Sequence, residues 1–203
     1  GVLKTAIDPH LPELQFVIQV NTILQDNQVT DTELCVTDRV SALLQLRSAT
    51  LGSKLTSDST SSSESLDITN HIKKFKKVKL PVRLQSSIIK HDVFNVECNI
   101  PTLQTDTEIN RACLKIIQDK VKTEDGIKDS VGDIFVYEVI KYIKSISFID
   151  QEQDQKIPFD TLSVQQRISV FEKLPMGVTA KISKYITSIR DFDDNFLNVS
   201  TAS

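Results

Sequence analysis

Residues 133–148 read DIFVYEVIKYIKSISF. Phe135, Val136, Val139, Ile140, Ile143 and Ile146 recur at intervals of three and four, with Glu138, Lys141 and Lys144 between them. That spacing predicts one long amphipathic helix across the segment. Glu138 and Lys141 would then form an i,i+3 ion pair on its outer face. A helix here makes the second half of the chain helical, and the neighbouring segments agree. Thr105 and Glu108 fit a capping box ahead of an Ile109, Cys113, Ile116, Ile117 stripe. Residues 122–129 read as a polar turn around Gly126, and 150–158 as a loop. Ser163 and Gln166 form a second capping box before Val164, Ile168, Phe171 and Leu174. Pro175 suits the start of a last helix, where a missing amide matters least. That helix carries Met176, Ile182, Tyr185, Ile186 and Ile189. The acidic stretch from Asp191 reads as an irregular tail.

Upstream, the period changes to two. LQFVIQV places Leu14, Phe16, Ile18 and Val20 on one side, predicting a half-buried strand. Asp26 and Asn27 suggest a turn into a second short strand. KKVKLPVRL alternates Val78, Leu80, Val82 and Leu84 with Lys77, Lys79, Pro81 and Arg83, an edge strand given the proline. FNVECNI sets Phe94, Val96, Cys98 and Ile100 inward, close enough to pair antiparallel with the previous strand. Between the strands, Thr37 serves as N-cap of a helix Asp38–Leu51, and Gly52 ends it with a positive φ. Val40, Leu43, Leu44 and Leu51 share the face expected to pack on the sheet.

The predicted fold class is α+β. A small antiparallel sheet from the N-terminal half packs with an amphipathic helix, and a helical C-terminal half follows. Residues 1–103 form the β-rich region, with the helix Asp38–Leu51 and a flexible serine-rich insertion at 53–66. Residues 104–203 form the helical region. The two make one compact domain or two closely packed lobes. The insertion is too poor in apolar residues to offset its own ordering entropy, so deleting Ser57 to Ser65 is expected to leave folding intact.

At 203 residues, with 39% hydrophobic and 25% charged residues, the chain can build a sizeable core without covalent staples. Its net charge of −3 argues against a global polyanion binder. Cys35, Cys98 and Cys113 are odd in number and widely spaced, and read as reduced, partly buried thiols. No apolar run approaches the ~20 residues of a membrane span, and no signal peptide is evident. The chain begins at Gly1 rather than Met, which is compatible with a segment of a longer protein.

Reactive patterns are scarce. His10, His71 and His91 have no second ligand at metal spacing, and HExxH, CxxC, GxSxG and glycine-rich phosphate loops do not occur. His91 and Asp92 are adjacent, so on a strand they would point to opposite faces. Asp193 and Asp194 read as solvated. Asn198-Val199-Ser200 matches a glycosylation sequon, without a sign of secretion to support it. No catalytic residue, cofactor or metal ligand is therefore assigned. One basic patch remains, Lys73, Lys74, Lys76, Lys77 and Lys79 around Phe75. It reads as an exposed strand face, with phosphate binding as the alternative.

Three blocks together carry a resemblance: ELCVTDRVSALLQLRSATLG at 33–52, VFNVECNIPTLQTDTEINRACLKII at 93–117, and YEVIKYIKSISFIDQEQDQKIPFDTLSVQQRISVFEKLPMGVTAKISKYI at 137–186. Their order and spacing resemble the small baseplate hub protein family of T4-like contractile-tailed bacteriophages, from about Ile23 to Ile189. The resemblance implies a structural component of the tail baseplate, not an enzyme, located in the virion tail and in the host cytoplasm during assembly. Its partners would be other tail and baseplate proteins, with no membrane and no nucleic-acid partner expected. A transient assembly factor absent from the mature virion is the alternative. A nucleic-acid-binding module using Lys73–Lys79 is a further one. Members of that family often end in a CxxC pair suited to zinc. Residues 195–203 hold no cysteine, so no metal site is carried over. Partner contacts are expected at the less regularly patterned apolar residues Phe148, Ile149, Phe192, Phe196 and Leu197.

Overall fold

The segment 133–148 contains two elements, not one. The computed structural model describes residues 10–28, 32–56, 65–77, 79–120, 124–149 and 155–201. In chain order these form α1 (His10–Asp26), a 3-10 turn (Val36–Asp38) running into α2 (Arg39–Leu51), β1 (Lys54–Thr56), β2 (Ser65–Asp67), α3 (Thr69–Lys77), α4 (Val82–Gln85), β3 (Ser86–Lys90) and β4 (Phe94–Asn99). Then follow α5 (Leu103–Lys120), α6 (Glu124–Ile140), β5 (Ile143–Phe148), β6 (Lys156–Pro158), a 3-10 turn (Phe159–Thr161), α7 (Val164–Phe171) and α8 (Met176–Thr201). The α+β class holds. The main sheet is antiparallel throughout, in the order β3-β4-β5-β6, and β1 and β2 form a separate ribbon.

The predicted helix over 133–148 stops at Ile140, and the chain turns at Lys141 and Tyr142 into β5. Asn99 N–H donates to the Tyr142 carbonyl at 3.0 Å, so the backbone leaves the helix for the β4 ladder. The register explains the misreading. Cys98 faces Ile143 while Glu97 faces Ser145, which leaves Lys144 as the extra residue of a bulge. Because of it, Ile143 and Ile146 are both buried although three residues apart, a spacing that imitates a helical stripe. The second half of the chain therefore supplies two of the four strands. The expected polar turn at 122–129 is also corrected, since α6 begins at Glu124. The expected loop at 150–158 contributes β6 at its end.

The strand predicted over Leu14–Val20 is part of α1. Its apolar residues also satisfy a helical period, and the structure selects that period because Val20 and Leu24 pack on Leu103 of α5. Phe16, which the strand reading put inward, is 64% exposed. Nor is there a strand over Val78–Leu84. Val78 lies outside the described residues, and Pro81 opens the single turn α4, its carbonyl accepting from the Leu84 and Gln85 amides. The strand pairing with β4 is β3, in the segment expected to be a connector. The β4 reading is right, with Phe94, Val96 and Cys98 buried.

Helix α2 falls where predicted, and Gly52 follows it at φ +83°. Thr37 is not its cap: it lies in the 3-10 turn, where the Asp38 carboxylate accepts from the Cys35 amide at 2.8 Å. The apolar side of α2 packs on α1 and α3, not on the sheet, with Ala42, Leu43 and Leu46 against Val20, Leu24 and Leu103. Val40 and Leu51 are exposed. The insertion at 53–66 begins and ends in the β1–β2 ribbon, and residues 57–64 lie outside the described set.

Helix α5 starts one turn earlier than its expected box. Thr102 Oγ1 accepts from the Thr105 amide at 3.1 Å and takes the capping role. The Ser163–Gln166 box of α7 is present as predicted. In α8, Ile182, Tyr185, Ile186 and Ile189 are buried, Met176 is 85% exposed, and the helix continues through the expected irregular tail to Thr201. One core joins these residues to the sheet, to Ile109, Cys113 and Ile117 of α5, and to Val139 and Ile140 of α6.

Candidate functional site

The expected contact residues do not form one patch. Phe148 in β5 packs against the core, its ring edge-on to Phe94 with centroids 6.4 Å apart. Ile149 follows the strand, its amide bonded to the Val93 carbonyl at 3.0 Å, and is 38% exposed. Phe192 sits on α8 and lines two grooves, neither of which includes Phe148 or Ile149. Phe196 and Leu197 belong to α8, and their side chains lie outside the described set.

The basic patch is helical, which corrects the strand reading. Lys73 and Lys74 are exposed on α3, while Ile72 and Phe75 are half-buried. Lys79 is exposed past the helix, and the side chains of Lys76 and Lys77 lie outside the described set. Phe75 lines a groove of about 250 Å³ with Arg39, Leu80, Phe192 and Asp193, so its ring does not stand beside the lysines as a free stacking platform.

The largest polar constellation was not anticipated. Asp106 is 4% exposed on α5, and its Oδ2 accepts from Asn21 Nδ2 at 2.8 Å, Arg39 Nη2 at 2.8 Å and Asn110 Nδ2 at 3.1 Å. Its Oδ1 lies 3.0 Å from Lys141 Nζ. Asn21 also accepts from Arg39 Nε at 2.9 Å and donates to Thr107 Oγ1 at 3.1 Å. The predicted Glu138–Lys141 pair exists at 2.6 Å, but Lys141 is 6% exposed and not outward. Arg190 of α8 closes the chain at 2.9 Å from the other Glu138 oxygen. Burial alone would raise the Glu138 carboxyl, but Lys141 and Arg190 hold it below its ordinary range. A single cluster thus ties α1, α2, α5, α6 and α8 together. A sequence signal was present: Asp106 and Asn110 sit at the i−3 and i+1 positions of Ile109 on the predicted apolar stripe. The Asp106 and Glu138 carboxylates each meet cationic or amide donors from other helices, and the cluster thereby fixes helix positions.

On the outer face of the sheet, Glu97 binds Lys156 at 2.8 Å, Lys144 at 2.9 Å and Ser145 Oγ at 2.9 Å. The bonds from Lys156 and Lys144 lower its carboxyl to about 2. Asp193 behaves oppositely: burial, then the Asp194 and Asp38 charges, raise it to about 6 against the opposing pull of Arg39. Of the carboxylate pair expected to be solvated, Asp194 is exposed and Asp193 is half-buried. His91, in the β3–β4 turn, stacks on Phe94 at 4.4 Å. All three cysteines are free, and burial pushes the Cys98 thiol up to about 12.

A broader groove of about 580 Å³ lies between α8, α4 and β3, lined by Arg83, Leu84, Ser87, Ile89, Lys181, Lys184, Tyr185, Ser188, Asp191 and Phe192. On α1, Phe16 and Ile23 are 64% and 48% exposed, seven residues apart and hence on one side. Among the described residues, no three His, Cys, Asp or Glu side chains form a cluster suited to a metal ion. No described helix is long and apolar enough to cross a membrane. Comparison with family models, with curated proteins and with solved structures returns no significant match.

Proposed function

We propose that this chain is a structural component of a contractile bacteriophage tail baseplate, acting at the hub through protein–protein contacts. The observation that carries the reading is the order and spacing of the three sequence blocks. The surface gives it a physical means: the Phe16 and Ile23 side of α1 presents large apolar groups to solvent. The opposite side of that helix is held through Asn21 to Asp106 and Thr107. A rigid helix with an apolar outer side suits permanent association better than turnover.

Mass spectrometry or immunoblotting of purified virions tests the proposal. The chain is expected in mature particles at a fixed ratio to other tail proteins. Its presence in infected cells but not in particles would replace the reading with a transient assembly factor. Its absence from both would remove the phage assignment.

A further inference from the structure

The two edges of the main sheet are built differently. β6, at one end, is three residues long and carries Lys156 and Pro158, features that discourage another strand from pairing. β3, at the other end, has five residues and no proline, and among the described residues no strand pairs with its outer edge. The His91 amide donates to the Phe94 carbonyl at 3.0 Å, closing the β3–β4 hairpin. Antiparallel alternation from that pair gives Ile89 and Ser87 to the β4 ladder. The amide and carbonyl groups of Ser86, Ile88 and Lys90 are left facing outward.

Beside this edge lies the groove under α8. Ser87 and Ile89 line it from the strand, and Leu84, Tyr185 and Phe192 add apolar surface. Arg83, Lys181 and Lys184 supply three positive charges against the one carboxylate of Asp191, and none of the three has an ion-pair partner among the described residues. Strand edge, helix and groove have the arrangement that accepts an added strand, with main-chain bonds giving affinity and alternate side chains giving specificity.

We propose that β3 and α8 form a docking site for an extended segment of a partner protein, which adds as a fifth strand and sets acidic side chains toward Arg83, Lys181 and Lys184. Alternate residues of the incoming strand face the same side as Ser87 and Ile89. Acidic groups there meet the uncompensated cations, and an apolar residue between them covers Ile89 and Phe192. This surface lies apart from the α1 side used above, and the inference stands or falls independently of the phage reading.

The test is selection from a randomised twelve-residue peptide library on the intact chain, followed by binding and amide exchange with the enriched peptides. Enriched sequences are expected to carry Asp or Glu at alternate positions, and to slow exchange at Ile88 and Lys90 at least tenfold. Lys181→Glu with Lys184→Glu, both exposed positions, should weaken binding at least tenfold. Ile88→Pro removes one outward amide without touching the β4 ladder and should do the same. Enrichment without acidic bias, no enrichment, unchanged exchange, or unchanged affinity in the charge-reversed variant overturns the proposal. A dimer of the chain that Ile88→Pro dissociates would assign the edge to a second copy, and would also overturn it. Absence of the chain from virions would leave these peptide results unaffected.

Discussion

Asp106 of α5 and Lys141, one residue past α6, lie 3.0 Å apart with almost no access to water. The pair ties α5 to the end of α6, at the point where the chain leaves α6 for β5. Removing Asp106 weakens the compensation of Lys141. Asp106→Ala leaves Lys141 with Glu138 alone and takes one acceptor each from the Asn21, Arg39 and Asn110 donors. A loss of about 3 kcal/mol is expected, the lower end of the cost of breaking a buried charge pair, because Glu138 still faces the ammonium. Urea denaturation measures it. Asp106→Leu combined with Lys141→Met should recover only the part of that loss due to the Lys141 charge, because the Asn21, Arg39 and Asn110 donors still lose their acceptor. A single-variant loss below about 1 kcal/mol, the size of an exposed ion pair, would mean that water already enters the cluster.

Asp193 gives a pH signature. Its carboxyl is raised from an ordinary 3.8 to about 6. Between those values the folded chain holds a proton that the unfolded chain has released, so this group's contribution to stability falls as pH rises from about 4 through 6. Above that window the ionised form is a standing cost. Asp193→Asn removes it. The side chain is half-exposed, so solvent screening reduces the gain to about 1 kcal/mol. That corresponds to a Tm rise of about 2–4 °C at pH 7.5 and none at pH 4. Equal shifts at both pH values would show that the effect is not ionisation.

The ribbon of β1 and β2 bears on the serine-rich insertion. Ser65 pairs with Thr56, so a deletion through Ser65 removes part of β2. Replacing residues 57–64 by Asn-Gly is the better variant, because that dipeptide suits a two-residue hairpin. Thermal unfolding should shift by less than about 4 °C, equivalent to under 1–2 kcal/mol in a chain of this size. A larger loss would assign the replaced segment a packing role.

What the sequence revealed follows a physical rule. Elements bounded by local chemistry were legible: α2 ends at Gly52, α7 begins with the Ser163–Gln166 box, and β4 alternates strictly. Elements decided by tertiary contacts were not. Leu14–Val20 fits both periods, and only packing against α5 makes it helical. The bulge at Lys144 gives a strand the spacing of a helix, and no local signal distinguishes the two. The charge cluster was hidden for a related reason. Lys141 has the sequence context of an outward lysine, and its burial follows from Asp106, thirty-five residues away.

On the proposed baseplate reading, the exposed side of α1 is where folding and assembly separate. Phe16 and Ile23 stand largely in solvent, while Asn21 on the opposite side and Leu24 and Val20 at its flank are buried and hold the helix in place. Phe16→Glu with Ile23→Lys should therefore change stability by no more than about 0.5 kcal/mol per site, as surface substitutions do. The same pair places charges in a contact that requires apolar surface, where one buried aromatic anchor is worth about 2 kcal/mol or more. Infection complemented with the double variant should yield a soluble protein at normal abundance, a fall in particle-associated protein of at least tenfold, and fewer complete tails. Normal incorporation with unchanged stability would show that this side of α1 faces solvent in the particle, and the contacts of the subunit would have to lie elsewhere. Lower abundance with a lower Tm would instead make Phe16 or Ile23 a folding residue, against its exposure.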